Sequence, residues 1–212
     1  MKAYFISGLG ADARAFSKLS LPQHIEPVFL EWIKPEEDED LVSYSRRLAE
    51  PIHDREPFVL VGLSMGGMVA VEIARMLKPH RTIIISSVHT HESFPKRLKI
   101  AGKLGLFQII PVSWLKSGSM IKRIFFGETP GAKKLIRDMI RDSDPHFIKW
   151  ALKAIGQWQN TWRPPALIHI HGENDEIFPL RYCKPDFIIP KSAHLMVVTQ
   201  SEEVSGLLAE LL

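Results

Sequence analysis

Six short, mostly apolar runs punctuate the chain: AYFIS (3–7), PVFLEW (27–32), FVLVGL (58–63), RTIIIS (81–86), ALIHIH (166–171) and DFIIP (186–190). Runs this short and this continuously apolar read as strands buried on both faces, the signature of a parallel sheet covered by helices. Between them the pattern changes to helical spacing. DARAFSKL follows the first run, and DLVSYSRRLAEPI follows the second with Leu41, Tyr44, Leu48 and Ile52 on one face. MGGMVAVEIARMLK follows the third with Val69, Ile73, Met76 and Leu77 aligned, and SEEVSGLLAELL closes the chain. There Ser201 is placed to cap a helix whose positive end Glu202 and Glu203 favour. Alternating strands and helices predict an α/β fold.

Residues 91–160 break the alternation. They carry helical periodicity with interruptions at Pro111, Gly118 and Pro130, and predict several short helices without a strand. Charge sets the same segment apart. Residues 1–90 hold 10 Lys and Arg against 12 Asp and Glu, residues 91–160 hold 13 against 5, and residues 161–212 hold 4 against 7. An insertion that differs in composition from both flanks is a unit of its own. The division expected is a core of residues 1–90 and 163–212 with a helical lid at 91–162. The lid is rich in apolar side chains, including Leu104, Leu106, Phe107, Trp114, Trp150 and Trp158.

Composition narrows the class. With 212 residues and 45% hydrophobic content the chain can bury one proper core. A single cysteine, Cys183, excludes an intrachain disulfide and suits a cytoplasmic setting. The N-terminal apolar run is too short for a secretion signal or a spanning helix and reads as the first strand. The acidic run PEEDED at 35–40 reads as a solvated loop. The basic segment contains aromatics but no nucleic-acid motif, so no nucleic-acid partner and no membrane insertion are expected.

The third run leads through Gly-Leu-Ser-Met-Gly into a helix, placing Ser64 at the corner between Gly62 and Gly66. A GxSxG corner between strand and helix holds its serine in a strained backbone conformation, and the flanking glycines leave room for the neighbouring strand and helix. In this context the chain resembles the α/β-hydrolase superfamily, in particular small bacterial serine esterases with a helical cap, over residues 1–90 and 163–212. The resemblance implies a three-layer α/β-hydrolase fold with a minimal, mostly parallel sheet of about six strands and an inserted lid. It also implies a triad in the order Ser, acid, His. HGENDEIFP after the fifth run is similar to the family's acid loop and makes Asp175 the acid; KSAHLMV after the sixth makes His194 the base. By the same resemblance the oxyanion donors are the backbone N–H groups of Met65 and of Leu9 in SGLGAD. The chain departs from the family in opening at the strand that carries the oxyanion loop, in having Ser7 where many relatives carry histidine, and in having Ala193 before the base.

Rival residues have simpler readings. Glu173 lies within a turn and Asp186 starts a strand, so Asp175 is preferred over both. Glu176 and Asp12 are expected at the surface or in loop caps. His89 and His91 have a spacing seen in metal sites, but no carboxylate or cysteine pattern completes one. His169 and His171 read as core or rim histidines and Cys183 as inert; no metal and no cofactor are expected. The activity implied is cleavage of a small-molecule ester or thioester by acyl-enzyme turnover. Carbon–carbon hydrolysis or perhydrolysis on the same triad, or a slow-turnover ligand-binding or signalling role, remain open.

Overall fold

The computed structural model describes residues 1–52, 56–106 and 130–212. Among these residues six strands form one sheet, all parallel: β1 (Lys2–Ile6), β2 (Glu26–Leu30), β3 (Phe58–Leu63), β4 (Arg81–Ile85), β5 (Leu167–Gly172) and β6 (Phe187–Ile189). Their order is β2-β1-β3-β4-β5-β6. Every apolar run of the sequence becomes a strand, and an expected mostly parallel sheet is fully so. The register aligns Ile6 with Gly62, Leu63 with Ile85, Ile85 with Ile170 and Gly172 with Ile189. The carboxyl ends of the strands therefore share one rim. Chain order runs outward from β1 to β2 but from β3 onward in the other direction, so the switch point lies between β1 and β3, where open sheets place their ligands.

Helices cover both faces. Tyr4, Ile6, Leu60 and Ile84 pack under α1 (Leu41–Leu48) and α2 (Met65–Leu77), while Phe5, Val59, Val61, Ile83 and Ile85 pack under α6 (Met196–Thr199) and α7 (Ser201–Leu211). Alternating side chains along β1 and β3 thus feed two separate cores, as burial on both faces demands. Helix α2 is buried all along Met65–Ala74 rather than on one stripe. Two local expectations change. DARAFSKL makes only a single 3₁₀ turn, Ala13–Phe16, capped by Asp12. At α7 the capping position is Gln200 and no side chain caps it; Ser201 is the first helical residue, and its carbonyl accepts from the Ser205 hydroxyl.

The segment that breaks the alternation contains α3 (Lys96–Lys103), α4 (Pro130–Asp142) and α5 (Pro145–Gln157). Pro130 opens α4, where a proline costs no hydrogen bond. The interruptions at Pro111 and Gly118, with Phe107 and Trp114, lie outside the described residues. Helix α4 buries Ala132, Ile136 and Met139 in one core, whereas α5 buries Phe147, Ala151 and Ala154 in the other. The tryptophans of α5 and its exit are anchors. Trp150 Nε1 donates to the Glu39 carbonyl at 2.7 Å and Trp158 Nε1 to the buried Glu72 carboxylate at 2.7 Å.

At the start of α2 the backbone runs against β1. A Cβ on Gly66 would lie 2.2 Å from the Ile6 oxygen and 2.3 Å from the Ser7 oxygen, and one on Gly62 would lie 2.3 Å from the Gly66 oxygen. These are backbone atoms and cannot swing aside. Gly66→Ala is accordingly expected to destabilise the fold by about 3 kcal/mol or more in urea unfolding. Gly206→Ala, where an added Cβ meets nothing within 4 Å, should instead stabilise α7 by roughly 0.5–1 kcal/mol. Equal tolerance at both positions would contradict the close approach.

Candidate active site

Ser64 occupies the step from β3 into α2 with φ 53° and ψ −118°, a region that non-glycine residues rarely enter. Three hydrogen bonds hold it there: its N–H donates to the Ile85 carbonyl at 2.9 Å, and its carbonyl accepts from the Gly67 N–H at 2.9 Å and the Ser87 hydroxyl at 2.6 Å. This conformation lifts the Ser64 side chain above the rim.

The rim delivers the predicted partners. The loop after β5 carries Asp175 and the loop after β6 carries His194, 3% and 5% exposed. His194 Nδ1 lies 2.7 Å from Asp175 Oδ2, and His194 Nε2 lies 2.9 Å from Ser64 Oγ. An ionised carboxylate only accepts, so Nδ1 carries the ring proton and Nε2 is left to accept from the serine hydroxyl. Asp175 Oδ1 accepts from the N–H groups of Ile177 and Phe178 at 2.8 and 2.9 Å. Burial would raise the Asp175 pKa, but the charge and hydrogen bond of His194, with His171 and the Phe178 N–H, outweigh it and hold the carboxyl below its usual range.

The rivals are engaged elsewhere. Glu173 accepts from the Lys191 N–H at 2.8 Å, and Asp186 accepts from the His169 N–H at 2.8 Å and lies 3.8 Å from Arg163. Asp12 pairs with Arg14, which also reaches Asp142 at the end of α4. His91 Nδ1 lies 3.2 Å from the Asn160 carbonyl, and no group of three metal-ligating side chains occurs among the described residues. Cys183 is buried, and burial pushes its thiol up to about 12.

On the other side of Ser64 stands the loop after β1. A Cβ on Gly8 would touch the Ser64 Cβ at 3.3 Å, so Leu9 follows directly on a residue packed against the serine. Ser7, where the resemblance leads one to expect histidine, is buried and donates to the Ala11 carbonyl at 2.9 Å, while the Ala11 N–H closes the turn onto the Gly8 carbonyl. Met65, as the first residue of α2, has an N–H without an intrahelical acceptor.

Residues 4–207 match the sequence profile of the Alpha/beta hydrolase family. The chain belongs to that family. No curated protein matches its sequence significantly. Its fold is shared by an esterase from Thermogutta terrifontis at 18% identity and a TM-score of 0.75, covering 100% of this chain and 89% of that one. A bromoperoxidase from Bacillus anthracis has 16% identity and a TM-score of 0.75, covering 98% and 90%. MenH from S. aureus has 18% and 0.72, covering 98% and 91%. Likeness at these identities speaks for the fold. Membership of the α/β-hydrolase family itself supports a hydrolase activity, and no helix among the described residues is long and apolar enough to cross a membrane.

Sequence reasoning left out what stands behind Asp175. His171 Nε2 lies 2.7 Å from the Phe178 carbonyl and 3.5 Å from Asp175 Oδ2, and His171 Nδ1 lies 3.0 Å from His169 Nε2. The alternation of two histidines along β5 was the available signal. Burial pushes His169 down to about 3 from an ordinary 6.5, with the His171 and His89 charges adding to the effect; burial also lowers His171 and His89.

A histidine held neutral by burial binds its proton only on unfolding. The stability that His169 contributes is therefore complete above its unfolded value of 6.5 and declines as pH falls toward its folded value of about 3. Asp175, depressed in the fold, contributes stability present above its unfolded value of 3.8 and lost as pH falls below it, so the histidine acts largely alone between pH 7 and pH 4.5. Urea unfolding between pH 7 and pH 4.5 should show stability falling, with each such histidine adding up to about 1.4 kcal/mol per pH unit. His169→Gln should reduce the slope by about one proton. A flat profile would show that these imidazoles are not buried neutral.

Proposed function

We propose that the protein is a serine hydrolase that cleaves a small-molecule carboxylic ester or thioester through an acyl-enzyme intermediate. The observation that carries this reading is the unbroken chain from Ser64 Oγ through His194 to Asp175, at 2.9 and 2.7 Å, on a serine with φ 53°. Ser64 Oγ attacks the substrate carbonyl while His194 Nε2 takes its proton, and the tetrahedral oxyanion forms between the N–H groups of Met65 and Leu9. His194 then returns the proton to the leaving group, and the acyl group stays on Ser64. Water, deprotonated by the same nitrogen, attacks the acyl-enzyme and releases the acid. Asp175 keeps the His194 proton on Nδ1 and stabilises the imidazolium. The reaction needs no cofactor. Esterase, bromoperoxidase and MenH relatives share the fold at similar scores, so the substrate must be settled by turnover on esters, thioesters and diketones rather than by likeness.

Residues 91–162 act as the lid in this reading. Just before α3, Phe94 packs against Phe178 at 5.8 Å between ring centres, and Phe178 against His194 at 5.8 Å. Arg97 donates to the Glu176 carbonyl at 2.8 Å, next to Asp175. A hydrogen bond with Arg181, and the charges of Arg181, Lys96 and Arg97, hold the Tyr182 phenol below its usual range. This positive rim favours substrates with an anionic leaving group.

Treating the folded protein with a fluorophosphonate should modify Ser64 alone, and His194→Ala should lower ester turnover by roughly three orders of magnitude or more. An unlabelled protein, or an adduct on another serine, would overturn the assignment.

For matched anionic and neutral esters of equal acyl length, kcat/KM should be higher for the anionic one. The advantage should shrink as salt brings the screening length below about 10 Å. Identical salt responses would remove the anionic preference.

A further inference from the structure

The acid loop, residues 173–178, is tied to the sheet by two imidazoles that the triad chemistry does not use. Their proton positions follow from their acceptors. The Phe178 carbonyl can only accept, so His171 Nε2 carries a proton. A neutral His171 then has a bare Nδ1, which must receive a proton from His169 Nε2, 3.0 Å away. His169 in turn is bare at Nδ1, which finds no partner among the described residues; its ring stands nearly perpendicular to that of His89, 6.3 Å between centres. One arrangement of two protons satisfies both bonds, and the backbone carbonyl sets it.

The bond to Phe178 bears on Asp175. The Phe178 N–H donates to Asp175 Oδ1, and the Phe178 ring lies on His194, so His171 grips by its carbonyl the residue that touches both acid and base. The same Nε2–H reaches Asp175 Oδ2 at 3.5 Å, too long for a hydrogen bond but aligned in sign with the carboxylate charge. His171 and His169 are 0% and 1% exposed, so water cannot substitute for either. We propose that His171, its tautomer set by the Phe178 carbonyl and supported by the proton that His169 donates, is a positioning residue that fixes Asp175 and hence the orientation of His194. The proposal rests on the serine hydrolase reading for its catalytic consequence, and on the two hydrogen bonds alone for its tautomers.

The first test reads the tautomers directly. In imidazole ¹⁵N–¹H correlation spectra of the wild-type protein at pH 7, His171 and His169 should both be neutral with the proton on Nε2. Either ring charged at that pH, or protonated on Nδ1, overturns the proposal whether or not the protein turns over esters.

The second test reads the site. His171→Phe should lower kcat for a nitrophenyl ester by roughly 10- to 100-fold with KM little changed, the scale expected when a catalytic group is misplaced by about 1 Å. It should also shift the His194 Nδ1–H resonance. His171→Gln, whose amide can donate from the position of Nε2, should restore most of both. His169→Phe should allow His171 to populate the Nδ1–H form and lower kcat, and His169→Gln should reverse this. Wild-type kcat in His171→Phe, or His171→Gln as impaired as His171→Phe, overturns the proposal. If His171→Phe does not fold, the glutamine pair and the wild-type spectrum carry the decision. A wild-type protein that fails to take the fluorophosphonate at Ser64 counts against the serine hydrolase reading, and the tautomer spectrum still decides the histidines.

Discussion

The contact on which the site depends is backbone against backbone, where the first turn of α2 is pressed onto the end of β1. Gly66 lies on the carbonyls of Ile6 and Ser7, and Gly62 on the carbonyl of Gly66, at separations no side chain could enter. With both sides immobile, the residue between them has no relaxed conformation to adopt. Ser64 takes a positive φ, which the Ile85, Gly67 and Ser87 hydrogen bonds then hold. The deep burial of α2 has the same origin, since a helix seated this close to the sheet leaves little of its surface for solvent.

The helices of residues 91–160 connect two layers. Helix α4 adds Ala132, Ile136 and Met139 to the core beneath α6 and α7, and α5 adds Phe147 and Ala151 to the core beneath α1 and α2. Arg14, one turn past the loop after β1, binds Asp12 and also Asp142 at the end of α4. On the far side, Asn160 donates to the carbonyls of His89 and Trp162 and accepts from Arg75, fastening the exit of α5 to the loop after β4. These helices are thereby joined to the rest of the chain near the proposed oxyanion loop and at the loop after β4.

Strands were legible in the sequence because burial on both faces leaves an unbroken apolar run such as FVLVGL, and Ser64 because its steric demand is written locally as two glycines. Asp175 and His194 were legible only through family resemblance. Their meeting depends on strands β5 and β6 being neighbours, which no local pattern encodes. The histidine pair was harder still. HIH on a strand reads as two ordinary core residues, and only the direction in which the Phe178 carbonyl points gives the pair a fixed proton arrangement. The cap of α7 was misread because Ser201 has the right chemistry but lies one residue too late, after the short α6 has already set the entry angle.

The same arrangement sorts the site by time of assembly. The contacts that constrain Ser64 come from β1, β3, α2 and, through Ile85 and Ser87, the end of β4, all within the first 87 residues, whereas the Ser64–His194 bond spans 130 positions. A chain made from its N-terminus can form the costly elbow early, from neighbours close in sequence, and completes the site only when β6, a three-residue edge strand, docks. On the proposed mechanism, a nascent chain would hold a shaped serine before His194, its proposed base, has been made.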